Sequence, residues 1–250
     1  MTLEQFFQEN PRCALGFSGG VDSAYLLYAG VKAGADIRPY FIKTAFQPAF
    51  ELADAKKLAA GLGAEVTVLE LAALADPRVA ANPADRCYYC KQNLFRTLKD
   101  RAIADGYPVL LDGTNASDEA GDRPGMRALA ELSVRSPLRE CGLTKAEIRA
   151  RSREAGLFTW DKPAYACLAT RIPTGTPITK EDLEKVEQAE GALHTLGFQD
   201  FRVRLFHGAA RLQVTEEQLP LVLEQREAIS SSLGAAFDGV LLDLKPRGLE

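Results

Sequence analysis

Ser18-Gly19-Gly20-Val21-Asp22-Ser23 is the stretch of this 250-residue chain whose residue types and order point to chemistry. It follows the apolar run Leu15-Gly16-Phe17 and leads into a segment with helical character. A strand that passes through a glycine turn into a helix aims backbone N–H groups and a positive helix end at one spot. That arrangement suits a phosphate. Gly19 and Gly20 remove the Cβ atoms that would block close approach, and Ser18 and Ser23 add hydroxyl donors. No Gly-Lys-Ser/Thr follows, which disfavours a P-loop kinase or GTPase. Asp22 would repel phosphates unless a cation such as Mg²⁺ sat between them, so it is the candidate magnesium ligand. A plain glycine turn joining strand to helix is the alternative reading.

Sulfur supplies the second set of candidates. Cys87-Tyr88-Tyr89-Cys90 follows Asn82-Pro83, which reads as an N-cap and first helical position. Residues three apart share a helix face, so both thiols point the same way. That face continues through Leu94 and Leu98, so core packing competes with a zinc or iron–sulfur ligand pair and with a redox dithiol. Cys167 lies in Lys162-Pro-Ala-Tyr-Ala-Cys-Leu-Ala-Thr-Arg171, where flanking cations favour a thiolate, hence a nucleophile or soft ligand. A buried structural cysteine is the alternative. Cys13 opens a strand and Cys141 sits in a turn; both read as structural.

The elements that must position these residues alternate over the first 160 residues. Strands are expected at 14–17, 37–43, 65–69 and 109–112, and helices at 22–33, 49–62, 83–104, 125–132 and from Thr144, where Glu147 completes a capping box. The expected fold class is α/β, an open, mostly parallel Rossmann-like sheet followed by a small α+β module. Ligands of such sheets bind beyond the carboxyl ends of the strands. Lys43, ending the second strand, and Gly113, Thr114 and Asn115 after the fourth therefore join the loop as nucleotide-binding candidates. Arg171 to Pro177 reads as a linker, dividing the chain into domains 1–170 and 171–250. The tail is expected to hold a helix at 180–196, a hairpin over 201–206 and 210–214, a further helix, and a strand at 239–244.

Net charge is −4, and from Arg171 onward 9 basic residues face 13 acidic ones. Such a tail is a poor partner for nucleic acid. No apolar run approaches a membrane span and no leader precedes the first strand, so the expectation is a cytoplasmic protein with no membrane partner. An odd number of cysteines in a reducing compartment argues against a disulfide framework. In the tail, Arg202 and Arg204 alternate onto one strand face, where both could grip one phosphate. Solvated surface charge is the alternative.

The Ser-Gly-Gly-Val-Asp-Ser string resembles the pyrophosphate loop of the N-type ATP pyrophosphatases, which cleave ATP between the α and β phosphates to adenylate a substrate oxygen. More specifically, this loop, Asp112-Gly-Thr-Asn115, Asp122-Arg-Pro-Gly125, Ser136-Pro-Leu138 and Ala166-Cys-Leu-Ala-Thr-Arg-Ile-Pro173 occur in an order that resembles the LarE family. These are ATP-dependent sulfur transferases of nickel-pincer nucleotide biosynthesis, and the resemblance runs nearly end to end. It implies ATP and Mg²⁺ at the loop, and a nucleotide-like small-molecule substrate, pyridinium biscarboxylic acid mononucleotide. It implies further that Cys167 attacks the acyl-adenylate. Sulfur would then leave Cys167 itself, or be delivered by a 4Fe–4S cluster held by Cys87, Cys90 and Cys167. Arg171, Glu190, Arg202 and Arg204 match the substrate-binding positions, and a homo-oligomer built through the tail is implied. Rival readings are a tRNA thiolase, disfavoured by the acidic charge, and an ammonia-using amide synthetase, which leaves the cysteines unexplained. A non-catalytic nucleotide-binding iron–sulfur or sulfide carrier is the third.

Overall fold

The computed structural model describes residues 1–118 and 124–248; Asp122 and Arg123 of the Asp-Arg-Pro-Gly run lie outside them. In chain order the elements are α1 (Leu3–Glu9), β1 (Arg12–Gly16), α2 (Val21–Lys32), β2 (Asp36–Lys43), α3 (Ala49–Gly61), β3 (Thr67–Glu70), α4 (Pro77–Ala80) and α5 (Arg86–Ala104). There follow β4 (Val109–Leu111), α6 (Pro124–Glu131), α7 (Pro137–Glu140), α8 (Lys145–Glu154), α9 (Lys180–Thr195), β5 (Arg202–Phe206) and β6 (Ala209–Gln213). The last are α10 (Leu219–Glu224), α11 (Arg226–Leu233) and β7 (Val240–Leu242). Two compact units result, Met1–Ala73 with Asp85–Tyr165 and Leu74–Ala84 with Ala166–Glu250.

The first unit carries the expected α/β architecture. Among the described residues its sheet has four parallel strands in the order β3-β2-β1-β4. The order reverses at β1, which opens a crevice beyond the carboxyl ends of β1 and β4. Leu15, Leu26, Leu27 and Phe41 are almost wholly buried between sheet and helices. Pro39 cannot donate a ladder bond, and it stands just before β3 begins to pair at Tyr40, where β2 has only β1 beside it. At α8 the Thr144 hydroxyl and the Glu147 carboxylate satisfy each other's backbone, the capping box expected from the sequence.

In the second unit β5 and β6 form an antiparallel hairpin, and β7 adds parallel to β6. Leu193, Phe198, Val203, Leu212 and Leu233 close its core. The single helix expected after the hairpin is two short ones, α10 and α11.

The expected helix start at Asn82-Pro83 is corrected. α5 begins at Arg86 with Asp85 as N-cap. Asn82 has φ +54°, outside the extended conformation an N-cap needs, and is fully buried. Its amide donates to the carbonyls of Pro173 (2.9 Å) and Thr176 (3.1 Å), while its own carbonyl accepts from Gly175 N–H (2.8 Å). The segment read as a linker is thus pinned by hydrogen bonds from 90 residues upstream. No helix among the described residues is long and apolar enough to cross a membrane.

Candidate active site

The loop between β1 and α2 takes its shape from its small residues. Gly19 sits at φ +70°, and a Cβ there would lie 3.0 Å from Ala55 on α3, so glycine is required on both counts. Gly20 is the N-cap of α2 but supplies no side-chain cap, so the first N–H groups of a 12-residue helix remain for a ligand. Ser18 and Ser23 hydroxyls lie 3.1 Å apart across the loop. Phe17 N–H donates to Tyr40 C=O at 2.8 Å, which fixes the point where the chain leaves the sheet.

Asp22, in the first turn of α2, has both carboxylate oxygens engaged. Oδ2 accepts from Lys145 Nζ at 2.5 Å and Oδ1 from Asn115 Nδ2 at 3.3 Å. The turn after β4 presses against it: a Cβ on Gly113 would meet Ser23 N at 3.1 Å. That turn is held by Asp112, buried, whose carboxylate accepts from the Thr114 (2.5 Å) and Ser136 (2.6 Å) hydroxyls. This is what Asp112-Gly-Thr-Asn and Ser-Pro-Leu do for one another. A single carboxylate beside a glycine turn is a donor set that fits Mg²⁺, which takes one or two carboxylates and completes its shell with substrate phosphate oxygens.

A cleft of about 150 Å³ opens beside the loop, with Phe17, Phe41, Leu94 and Phe95 among its walls. Its apolar walls suit a flat aromatic base. Lys43 stands at the end of β2, and its ammonium donates to the Gln47 carbonyl.

All five cysteines are reduced thiols. Cys13 is fully buried, donates to Asn10 C=O at 3.1 Å, and has its pKa pushed up to about 12 by that burial. Burial also raises Cys141. Neither has the lowered pKa that marks a reactive thiolate. Cys87 is exposed on α5, with Arg86 Nη2 3.7 Å from its sulfur, and Cys90, half-buried, lies one turn on. Cys167, half-buried, begins a 3-10 turn over Leu168–Arg171 in the second unit, where its carbonyl accepts from Thr170 N–H and Oγ1, both at 2.9 Å. Among the described residues no group of three His, Cys, Asp or Glu side chains is gathered to hold a metal.

The cations expected to favour the Cys167 thiolate have carboxylate partners. Lys162 Nζ pairs with Asp54 on α3 at 2.7 Å, and Tyr165 packs edge-on against Phe50 with ring centroids 5.2 Å apart. Arg171, 1% exposed, donates through Nε (2.7 Å) and Nη2 (3.1 Å) to Glu190, and through Nη1 to Ala166 C=O (2.9 Å). Glu190 also accepts from Val203 N–H at 3.0 Å. Arg202, 4% exposed, donates to Phe201 C=O at 2.6 Å. Desolvation, then the neighbouring Arg171, push its pKa down to about 10. Arg204 donates to Thr170 C=O at 2.7 Å and lines a cavity of about 510 Å³ with His207 and Arg211; Arg202 is not part of that wall.

Lys145 escaped the sequence reading. Its only local signal is its position just after the capping threonine, and its partner Asp22 lies 123 residues away.

No protein-family profile matches the chain. It is 37% identical to an uncharacterized protein of Synechocystis, over 97% of this chain and 92% of that protein. It is 28% identical to an uncharacterized protein of Methanocaldococcus jannaschii, over 95% and 91%. It is 32% identical to the pyridinium-3,5-bisthiocarboxylic acid mononucleotide synthase of Lactiplantibacillus plantarum, over 97% of this chain and 89% of the synthase. Identity at that level, sustained from one end to the other, means that the chain belongs to the LarE family of synthases.

Proposed function

We propose that the chain is an ATP-dependent sulfur transferase that converts the carboxylates of pyridinium biscarboxylic acid mononucleotide to thiocarboxylates. The observation that carries this reading is the Ser18–Ser23 loop with Asp22, within a chain similar throughout to the named synthase. A substrate carboxylate oxygen attacks the α-phosphorus of ATP held at that loop; the bond to the β-phosphate oxygen breaks and pyrophosphate leaves. Ser18, Ser23 and the α2 N-terminus hold the phosphates, with Gly113, Thr114 and Asn115 completing the turn beside them. Asp22 would hold Mg²⁺, which when bound offsets phosphate charge. Activation is needed because a carboxylate oxygen is a poor leaving group and AMP a good one.

The Cys167 thiolate then attacks the acyl carbon, AMP departs with the acyl–oxygen bond pair, and a thioester links substrate to protein. Loss of the Cys167 Cα proton to a base, with cleavage of its Cβ–S bond, releases the thiocarboxylate and leaves dehydroalanine. Arg204, with His207 and Arg211 in the cavity beside it, is the cationic surface for a substrate phosphate. Arg171, held by Glu190, braces the segment carrying Cys167 through Ala166 C=O, and buried Arg202 adds positive charge on the strand that carries Arg204.

A second reading keeps Cys167 and takes sulfide from a 4Fe–4S cluster on Cys87, Cys90 and Cys167. It is favoured by the two thiols one helical turn apart on α5. The reading carries self-association through the second unit and a cytoplasmic setting, with no nucleic-acid or membrane partner.

Pyrophosphate release that depends on the mononucleotide tests the adenylation; its absence would end the proposal. Intact-protein mass after turnover separates the two sulfur sources. A loss equal to H₂S at Cys167 marks sacrifice. An unchanged mass over many turnovers, with iron and sulfide lost on replacing any one of the three cysteines, marks the cluster.

A further inference from the structure

The residues just ahead of Cys167 run along one helix of the first unit. Residues 158–161 form turns and 162–167 form no helix or strand, so neighbouring elements must hold this segment. Phe50, Asp54 and Lys57 stand at i, i+4 and i+7 on α3, which places them on one stripe. Tyr165 packs edge-on against Phe50, Lys162 Nζ pairs with Asp54 at 2.7 Å, and Lys57 Nζ lies 5.0 Å from the Phe158 ring centroid. The segment therefore runs antiparallel along the stripe, with one contact per helical turn. The Lys162 ammonium also stands 5.5 Å from the Phe50 ring centroid, so it joins two of the three contacts. From α8, Arg149 donates to the Trp160 (2.7 Å) and Lys162 (2.9 Å) carbonyls.

The direction of the segment bears on chemistry. Its Tyr165 end lies at the first turn of α3, where Gln47 and Glu51 line the cleft beside the Ser18–Ser23 loop. Ala55, next to Asp54, is the residue against which Gly19 of that loop lies. Tyr165 is the last residue of the first unit, and Cys167 follows two residues later, so at most about 7 Å separates their Cα atoms. Fixing Tyr165 on α3 fixes the point from which the thiol sets out.

We propose that Lys162 and Asp54 are positioning residues for the sulfur step: with Phe50 and Tyr165 they hold the chain ahead of Cys167 at the nucleotide end of α3, which shortens the approach of the thiol to the acyl-adenylate. This rests on the reading of Cys167 as the nucleophile and of the Ser18–Ser23 loop as the ATP site. Lys162 acts through the chain that carries Cys167 and not on the substrate itself. The pair is partly exposed, 18% for Lys162 and 34% for Asp54, so its loss leaves the fold standing and acts on geometry.

The test uses the full chain with ATP, Mg²⁺ and pyridinium biscarboxylic acid mononucleotide, and follows pyrophosphate and thiocarboxylate in a single turnover. Lys162→Met and Asp54→Asn should release pyrophosphate within about twofold of wild type and form thiocarboxylate more slowly by roughly tenfold or more, the scale of a misplaced reacting group. Lys162→Arg, which keeps the ion pair and the cation beside Phe50, should recover most of the rate. The double variant should be no slower than the slower single one, since both substitutions remove the same contact. The readout is the same whether sulfur leaves Cys167 or a cluster. Thiocarboxylate formation at the wild-type rate in either single variant would overturn the proposal. So would equal losses in the two products, which mark a structural or nucleotide-binding role. If Lys162→Met does not fold, Asp54→Asn, which keeps the shape of the side chain, reads the same contact. Absence of mononucleotide-dependent pyrophosphate release from wild type would instead end the adenylation reading on which this proposal stands.

Discussion

Replacing Glu190 with alanine should remove a large part of the second unit's stability. Its carboxylate, 3% exposed, receives Arg171 at 2.7 and 3.1 Å and Val203 N–H at 3.0 Å. Arg171 is itself 1% exposed, so alanine leaves a buried guanidinium without its counter-charge. Removing one partner of a buried pair costs about 3–5 kcal/mol, about a fifth or more of a domain stability of about 5–15 kcal/mol. Two further cations, buried Arg202 and half-buried Arg204, already repel Arg171, which places the expected cost toward the upper end. Urea unfolding followed by circular dichroism should show a midpoint lower by about 1.5–2.5 M for a slope near 2 kcal/mol/M. Arg171→Met with Glu190→Met, which removes both charges and keeps the volume, should recover most of the loss. The reasoning is refuted if Glu190→Ala shifts stability by less than about 1 kcal/mol while raising the substrate requirement, for then the carboxylate serves a ligand and not the fold.

Gly19→Ala should cost about 1–2 kcal/mol from its φ of +70°, with added displacement of α3 through Ala55, and should impair ATP binding in calorimetry. Gly20→Ala, whose Cβ would meet only Ser18 Oγ at 3.4 Å, should leave the melting temperature within a degree or two of wild type. Alkylation of the native protein with iodoacetamide at pH 8, read by peptide mass spectrometry, should label exposed Cys87 early. Cys13, buried with its pKa at about 12, should be labelled last; early labelling of Cys13 would contradict its burial. Arg135, and then the Ser136 N–H, hold the Glu140 carboxyl below the ordinary carboxylate range. Its stabilising contribution is therefore complete above about pH 4.5 and is lost as pH falls through the lowered value. Glu140→Gln should flatten that acid limb in a pH series of melts, and an unchanged limb would count against the assignment.

What the sequence reveals of this molecule is what depends on near neighbours. The glycine turn before α2, the capping box at Thr144 and the short apolar strands all follow from residues within a turn or two of one another. α1 carried the same kind of signal, Thr2 with Gln5 three residues on, and could have been read. The start of α5 could not. Asn82-Pro83 has the local form of a helix start, but the Asn82 amide is committed to carbonyls about 90 residues away. The pairing of Lys145 with Asp22 and of Arg171 with Glu190 is similarly long-range. Charge and spacing suggested that Arg202 and Arg204 would act together on one phosphate. Their surroundings differ: buried Arg202 donates to Phe201 C=O, and Arg204 lines a cavity.

The membership of Leu74–Ala84 in the second unit has a practical consequence for anyone dissecting the protein. A fragment that starts at residue 166 would lack the peptide whose Asn82 and Ala80 carbonyls receive the N–H groups of Gly175 and Ile178. It would expose those donors and empty the space filled by the Asn82 amide and Val79. A stable excised module would need residues 74–84 supplied as a separate peptide or spliced ahead of residue 166. Deletion series that simply shorten the chain from the front would confuse loss of the nucleotide loop with collapse of this distant half.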